Sequence, residues 1–222
     1  MGNTKIEIGV HELRDLVAGV IPLADTGTGL PVLECVLLRG HGDQITATAT
    51  DRYRIGISRV DVQAPDGFRA LVRAVDLKAI LKTFRPTRNT SPTLTLDFDD
   101  GYVSVSSTGS MIDFAGATIR YRLDDGEFPK ADSIVASDGD TVDIPAGTAF
   151  NPKFLGGFDA ARRSPADPLV IRAIGHPMAT RMQLSIGDYF VGALMSMRAP
   201  SSSGRPWPIA FGEPEAEPKA AS

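Results

Sequence analysis

The sequence predicts an α+β fold: three βαβββ units with helices on one face of antiparallel sheets. Three observations lead there. Strand-like alternation and helical spacing follow one another in the same order, strand, helix, three strands, at about 5–62, 68–121 and 141–198. Turn signals of the Gly-Asp and Asp-Gly kind (His41-Gly42-Asp43, Asp99-Asp100-Gly101, Ser185-Ile186-Gly187-Asp188) separate neighbouring strands. Breaks at Pro65-Asp66-Gly67 and at 124–130 separate the units. The repeat is one of architecture, without residue-level self-similarity.

The first unit opens with a strand, Lys5 to Val10. Leu13, Leu16, Val17, Val20 and Ile21 then recur at helical spacing and predict a helix over 10–24, ending near Pro22. After the Gly/Thr-rich loop 25–29 come strands at 31–39, 44–50 and 54–62. The second unit has a strand at 68–74, a helix at 75–85 and strands at 94–98, 102–106 and 111–121. The third has a short strand at 141–144, a helix at 151–163 opened by Asn151-Pro152, and strands at 169–174, 180–186 and 189–197. The remainder, 200–222, is rich in Ser, Pro, Gly, Ala and Glu and is expected to be disordered. Its apolar island Arg205-Pro206-Trp207-Pro208-Ile209-Ala210-Phe211 leaves two readings open, an inert tail or a segment that docks in a cleft. Two units together make a two-layer α+β domain. Three leave one unpaired, with an edge or apolar face of the kind another chain closes.

The chain has 222 residues, a formal net charge of -4, and a 42% hydrophobic content typical of globular domains. That charge argues against indiscriminate nucleic-acid binding but not against a local basic patch. The single cysteine, Cys35, excludes an intramolecular disulfide and a cysteine-rich metal site. Its apolar surroundings favour a buried, inert thiol over a nucleophile. His11, His41 and His176 have no metal-ligand spacing, and Asp99-Asp100 and Asp124-Asp125 are turn carboxylates. No phosphate loop and no Gly-x-Ser-x-Gly occurs. No enzyme and no cofactor is therefore expected. No secretory signal is read at the N-terminus and no apolar run nears the ~20 residues that span a bilayer, so a cytoplasmic protein is expected.

One segment departs from the acidic background. Over 75–88, Leu77, Ile80, Leu81 and Phe84 form an apolar stripe, while Lys78, Lys82 and Arg85 form a cationic one, with Arg88 just beyond Pro86. By itself the cationic stripe suits an ordinary solvated face as well as a surface for a polyanion.

Motifs in a fixed order add to this reading. Ala49-Thr50-Asp51-Arg52-Tyr53-Arg54-Ile55 ends a strand. Asp125-Gly126-Glu127-Phe128-Pro129 follows downstream, then Phe150-Asn151-Pro152-Lys153-Phe154-Leu155. Last comes the strand Tyr189-Phe190-Val191-Gly192-Ala193-Leu194-Met195-Ser196-Met197-Arg198. Together they resemble the bacterial DNA polymerase III beta subunit, the sliding clamp. The resemblance spans most of 5–199 and implies a shortened clamp, of the kind a phage or mobile element would carry. It implies the DNA-clamp fold, with 1–133 a complete clamp domain, 134–199 half a domain and 200–222 a tail.

What the resemblance implies about function is a non-enzymatic processivity factor: a ring-forming homo-oligomer around duplex DNA. Twelve units to a ring would require four chains, and a two-chain half ring is the alternative. Lys78, Lys82, Arg85 and Arg88, with Lys153, Arg162 and Arg163 from the third helix, would face phosphates without reading sequence. Leu33, Thr50, Arg52, Tyr53, Arg54, Ile55, Ile134, Leu194, Met195, Met197 and Arg198 would form a cleft for short peptide motifs of the polymerase and clamp loader. Ser196 departs from the family's proline. A second functional class is a clamp-derived adaptor or inhibitor that binds replication proteins without encircling DNA.

Overall fold

The first strand of each of the first two units leaves its own unit and joins the other's sheet. A computed structural model of the chain describes residues 3–25, 27, 29–86, 91–107, 118–130, 132–135, 140–144, 148–174 and 181–198. In the first unit, β1 (Thr4–Gly9) leads into α1 (Val10–Val17), then β2 (Cys35–His41), β3 (Gln44–Thr50) and β4 (Arg54–Val60). The second has β5 (Arg69–Arg73), α2 (Ala74–Thr83), β6 (Thr93–Asp99), β7 (Tyr102–Ser107) and β8 (Thr118–Arg122). A one-turn helix α3 (Asp132–Val135) lies between the units. The third has β9 (Thr141–Val142), β10 (Thr148–Ala149), α4 (Pro152–Gly156), β11 (Val170–Ile174), β12 (Arg181–Ile186), β13 (Phe190–Leu194) and β14 (Met197–Arg198).

β1 pairs antiparallel with β6, Ile6 opposite Leu96, and heads the sheet β1-β6-β7-β8. β5 pairs with β2, Val72 opposite Val36, and heads β5-β2-β3-β4. The exchange ties the two units into one body. Leu13, Leu16 and Val17 of α1 and Leu77 and Ile80 of α2 are buried against the inner sheet faces in a single core. The hairpin at Asp100-Gly101 turns on two residues with positive φ, 46° and 76°, the mirror-image turn whose twist suits a two-residue hairpin.

The third unit joins by its edge. β13 pairs antiparallel with β4, Leu194 opposite Arg54 and Phe190 opposite Ser58, making one eight-stranded sheet ordered β5-β2-β3-β4-β13-β12-β11-β9. Gly56 and Gly192 face each other across this seam. A Cβ on Gly56 would run into Leu23 and lie 2.8 Å from the Phe190 ring, and one on Gly192 would lie 2.6 Å from the Ile55 carbonyl oxygen. The missing side chains let Phe158 and Phe190, both fully buried, meet edge to face at 6.0 Å beneath the seam. On the outer face, Phe128 and Val135 close a second, smaller core over Cys35, Leu37, Ile55, Leu71 and Ala193. Gln183 donates from Nε2 to the Val135 carbonyl at 2.8 Å, fastening α3 to the third unit.

The strand expected at 189–197 divides at Met195-Ser196 into β13 and β14, and three further elements differ from the sequence expectation, each for a local reason. The first helix stops at Val17 and resumes only as a 3-10 turn at Ile21–Leu23, because Pro22 lacks an N–H and its ring crowds the preceding turn. The expected strand at 31–39 starts at Cys35, since Pro31–Glu34 winds as a 3-10 turn. The expected helix at 151–163 splits into α4 and a 3-10 turn at Gly157–Ala161, where the Gly156-Gly157 pair weakens α-helical propagation. Asn151 caps α4 as its residue type predicts, accepting from the Lys153 N–H at 3.0 Å. The expected strand residues 111–117 and the segment 200–222 lie outside the described residues. No helix among the described residues is long and apolar enough to cross a membrane.

Cys35 is fully buried and its thiol donates to the Pro31 carbonyl at 3.4 Å. Burial, aided by the Asp124 carboxylate, pushes its pKa up to about 12. Two measurements check the fold. Phe158→Ala is expected to destabilise the chain by roughly 3–5 kcal/mol in urea titration. Cys35 is expected to resist a thiol reagent at pH 8 in the native state and to react fully once unfolded.

Candidate functional site

The turn between β3 and β4 is held by its own side chains. Thr50 Oγ1 donates to the Arg54 carbonyl at 2.7 Å and accepts from the Arg52 N–H at 3.2 Å. Asp51 Oδ1 accepts from the backbone N–H groups of Tyr53 and Arg54, at 3.0 and 2.7 Å. Its Oδ2 takes both Nε and one terminal nitrogen of Arg54, at 2.9 and 2.7 Å. That bidentate pair has only about a tenth of each side chain exposed, 10% for Arg54 and 11% for Asp51. The geometry forces Arg52 to a positive φ of 76° and turns the side chains of Arg52 and Tyr53 outward.

Arg54 also reaches beyond its turn. It donates to the Pro22 carbonyl at 3.1 Å and lies over the Phe154 ring at 4.8 Å. Tyr53 stacks on the same ring at 5.5 Å, and its carbonyl accepts from the Met195 N–H at 2.9 Å. The turn is thereby pinned to the third unit.

Beside it lies a cavity of about 250 Å³, lined by Thr50, Arg52, Tyr53, Arg54, Ile55, Ile134, Arg181, Ala193, Leu194 and Met195. Most of the cleft positions expected from the sequence meet here. Leu33 does not: it is buried within the 3-10 turn Pro31–Glu34, where its carbonyl accepts from the Asp25 N–H. Met197 lies in β14, paired with β10, and does not line the cavity; Arg198 shares that strand, and its side chain lies outside the described residues. Arg181 and Ala193 are additions. The three-residue turn at 187–189 sets Met182 opposite Leu194 and so places Arg181 beside the cleft strand, a register that the expected strand start at 189 would miss by one residue. Arg181 donates to the Ile134 carbonyl at 3.2 Å and so holds α3 at the rim. Tyr53 and Met195 are 52% and 59% exposed. Apolar walls with arginines at the rim suit an extended peptide that brings apolar side chains and a carboxylate.

The second surface is an open groove of about 680 Å³ between α1 and α2, lined by His11, Arg14, Ala18, Lys78, Leu81, Lys82, Arg85 and Pro86. Lys78, Lys82 and Arg85 are exposed and enter no ion pair among the described residues. Arg14 adds a further cation from α1. Arg88 lies outside the described residues. The basic residues of the third helical segment are placed differently. Lys153 is exposed on α4, but Arg162 pairs with Asp159 and donates to the Pro165 carbonyl. Arg163 covers the Tyr189 ring at 3.9 Å, donates to the Arg59 carbonyl at 2.6 Å and pairs with Asp15 at 3.7 Å. Tyr189 in turn donates to Asp167 at 2.5 Å, a bond that holds the Asp167 carboxyl below its ordinary pKa. Arg163 thus fastens the third unit to the first, while Arg162 is engaged within the third.

A further cavity of about 250 Å³ opens beside Phe68 and Phe98, and its lining shares no residue with either surface. Among the described residues no cluster of His, Cys, Asp and Glu could hold a metal ion.

No protein-family model matches the chain, and no curated protein matches it in sequence. Solved structures do. The beta subunit of Streptococcus pyogenes DNA polymerase superposes with a TM-score of 0.68 at 15% identity, over 87% of this chain and 65% of its own. The DNA polymerase III beta subunit of Thermotoga maritima gives 0.67 at 15%, over 89% and 66%. The DNA polymerase sliding clamp of Pseudomonas aeruginosa gives 0.66 at 15%, over 88% and 67%. The chain has the sliding-clamp fold and spans about two thirds of the length of these clamps.

Arg54→Ala strips the Asp51 carboxylate of its buried partner. A stability loss on the order of 3 kcal/mol is expected in urea titration. Arg54→Lys should recover only part of it, because an ammonium cannot make the bidentate pair.

Proposed function

We propose that this chain is a clamp-type DNA tether: a non-enzymatic, cytoplasmic processivity factor that assembles into a homo-oligomeric ring around duplex DNA. On this reading residues 1–133 act as a complete clamp domain, 134–199 as half a domain and 200–222 as a tail. The cleft takes short peptide motifs of the polymerase and clamp loader. The reading rests on one observation above all. A chain of net charge -4 concentrates cations, Lys78, Lys82 and Arg85 with Arg14, along one groove of a clamp fold. Such residues bind phosphate by charge alone, which lets a protein slide. Lys153 and Arg88 would extend the track. Arg162 and Arg163, engaged within the chain, would add only a diffuse positive field. Four chains would supply the twelve units of a closed ring, and two a half ring.

A second reading is an adaptor or inhibitor that engages replication proteins through the cleft without encircling DNA. It is favoured by the engagement of Arg162 and Arg163 within the chain, which leaves fewer cations to face a duplex.

The combined variant Lys78→Glu, Lys82→Glu, Arg85→Glu separates the two. The tether reading expects at least a 100-fold weakening of duplex binding. It also expects the slope of log K against log salt to shrink by roughly 3, at about 0.9 for each phosphate that is no longer neutralised. Unchanged DNA affinity would refute the groove and leave the adaptor.

A further inference from the structure

The three units are not used alike. In the first two, the position beside the second strand is filled by the other unit's first strand: β5 lies on β2, and β1 on β6. In the third, β9 folds back onto β11 of its own unit, by a ladder of only two pairs, Val142 with Ala173 and Thr141 with Ile174. The third unit therefore fills with its own strand a place that the fold elsewhere gives to a mate.

Its helix shows the same want of a mate. Counted from the residue before each helix (Gly9, Arg73 and Asn151), Gly156 stands where Arg14 and Lys78 stand. Those two line the groove in which α1 and α2 lie side by side. Ala160, likewise exposed, stands where Ala18 and Lys82 do. α1 and α2 each bury several residues, whereas the five-residue α4 buries none: its Phe154 and Leu155 are half-buried against the core, and only the 3-10 turn that continues it buries Phe158 and Ala161. Nearby, Ile144 and Val170 are 49% and 40% exposed.

We propose that the third unit is completed by the third unit of a second copy of this chain, through reciprocal exchange of β9 and side-by-side packing of the two α4 helices about a two-fold axis. The inference rests on the clamp reading for the need to assemble, and it names the interface. The occupant follows from the fold: the mate of a βαβββ unit here is another such unit, and β9 already fits the β11 edge. Charge agrees. One further step of the β9–β11 register sets Asp143 opposite Arg172, an attractive pair across the ladder. Exchange keeps that ladder unchanged and adds the helix packing.

Cys35 is the only cysteine and is buried, so introduced cysteines report cleanly. The full chain carrying Val142→Cys and Ala173→Cys, oxidised mildly, is expected to run as a covalent dimer on a non-reducing gel. Light scattering on the unmodified chain is expected to give an even number of chains. Gly156→Glu is the complementary variant. Its backbone is ordinary right-handed helix, and a Cβ there meets nothing within 4 Å, so the single chain tolerates it. Where two α4 helices pack together, two glutamates would meet. At least a tenfold weaker association is expected. A disulfide formed only within one chain, a one-chain mass, or association indifferent to Gly156→Glu would each overturn the proposal. Failure of this association with DNA binding intact strikes only the interface. Unchanged DNA binding by the charge-reversed groove with the dimer intact strikes only the tether reading.

Discussion

The bidentate pair between Arg54 and Asp51 is the constraint on which the cleft depends. A short turn between two strands has no packing of its own to fix it. Here one carboxylate gathers two backbone N–H groups and a guanidinium, and Thr50 closes the remaining backbone bonds. The guanidinium then reaches the 3-10 turn after α1 and the ring of Phe154 on α4. A single side chain thus holds its own turn, the 3-10 turn after α1 and the helix of the third unit. It is nearly buried and fully engaged, so its role is to position the cleft, while Arg52, Tyr53 and Met195 provide the exposed surface.

The seam between β4 and β13 works on the same scale. Backbone pairing alone would let the third unit shear or detach, as edge pairings do. The facing glycines bring the chains close enough for Phe158 and Phe190 to close the inner side, while Phe128 and Val135 close the outer. The cleft lies on this seam and inherits its rigidity. The cationic groove lies on α1 and α2, whose placement is set by the exchange of β1 and β5. The two surfaces therefore rest on separate parts of the fold, and one can be altered without the other.

Much of this was legible in the sequence. Alternation, helical spacing and Asp-Gly turns located the strands and both long helices, because those signals come from local sterics and burial. The cleft was legible as a set through the resemblance, since Thr50, Arg54, Ile55 and Leu194 recur in order. Other features were not. The exchange of β1 and β5 is a matter of which strands pair, and alternation says nothing about partners. The stop of α1 at Val17 reflects Pro22 and tertiary packing against a strong apolar periodicity. Arg162 and Arg163 read as free cations because their partners, Asp159, Asp15, the Tyr189 ring and two backbone carbonyls, converge only after folding. Leu33 read as cleft because the expected strand at 31–39 begins only at Cys35, and the 3-10 turn Pro31–Glu34 buries it away from the lining.

A charged groove on a clamp fold gains meaning as a tether only if binding depends on DNA topology. The most direct measurement is retention on a nicked circular plasmid at moderate salt, before and after a single restriction cut, with a clamp loader supplied. A topological tether stays on the circle and is lost when the circle is opened. Equal retention on circular and linear DNA, or retention on neither, would contradict it.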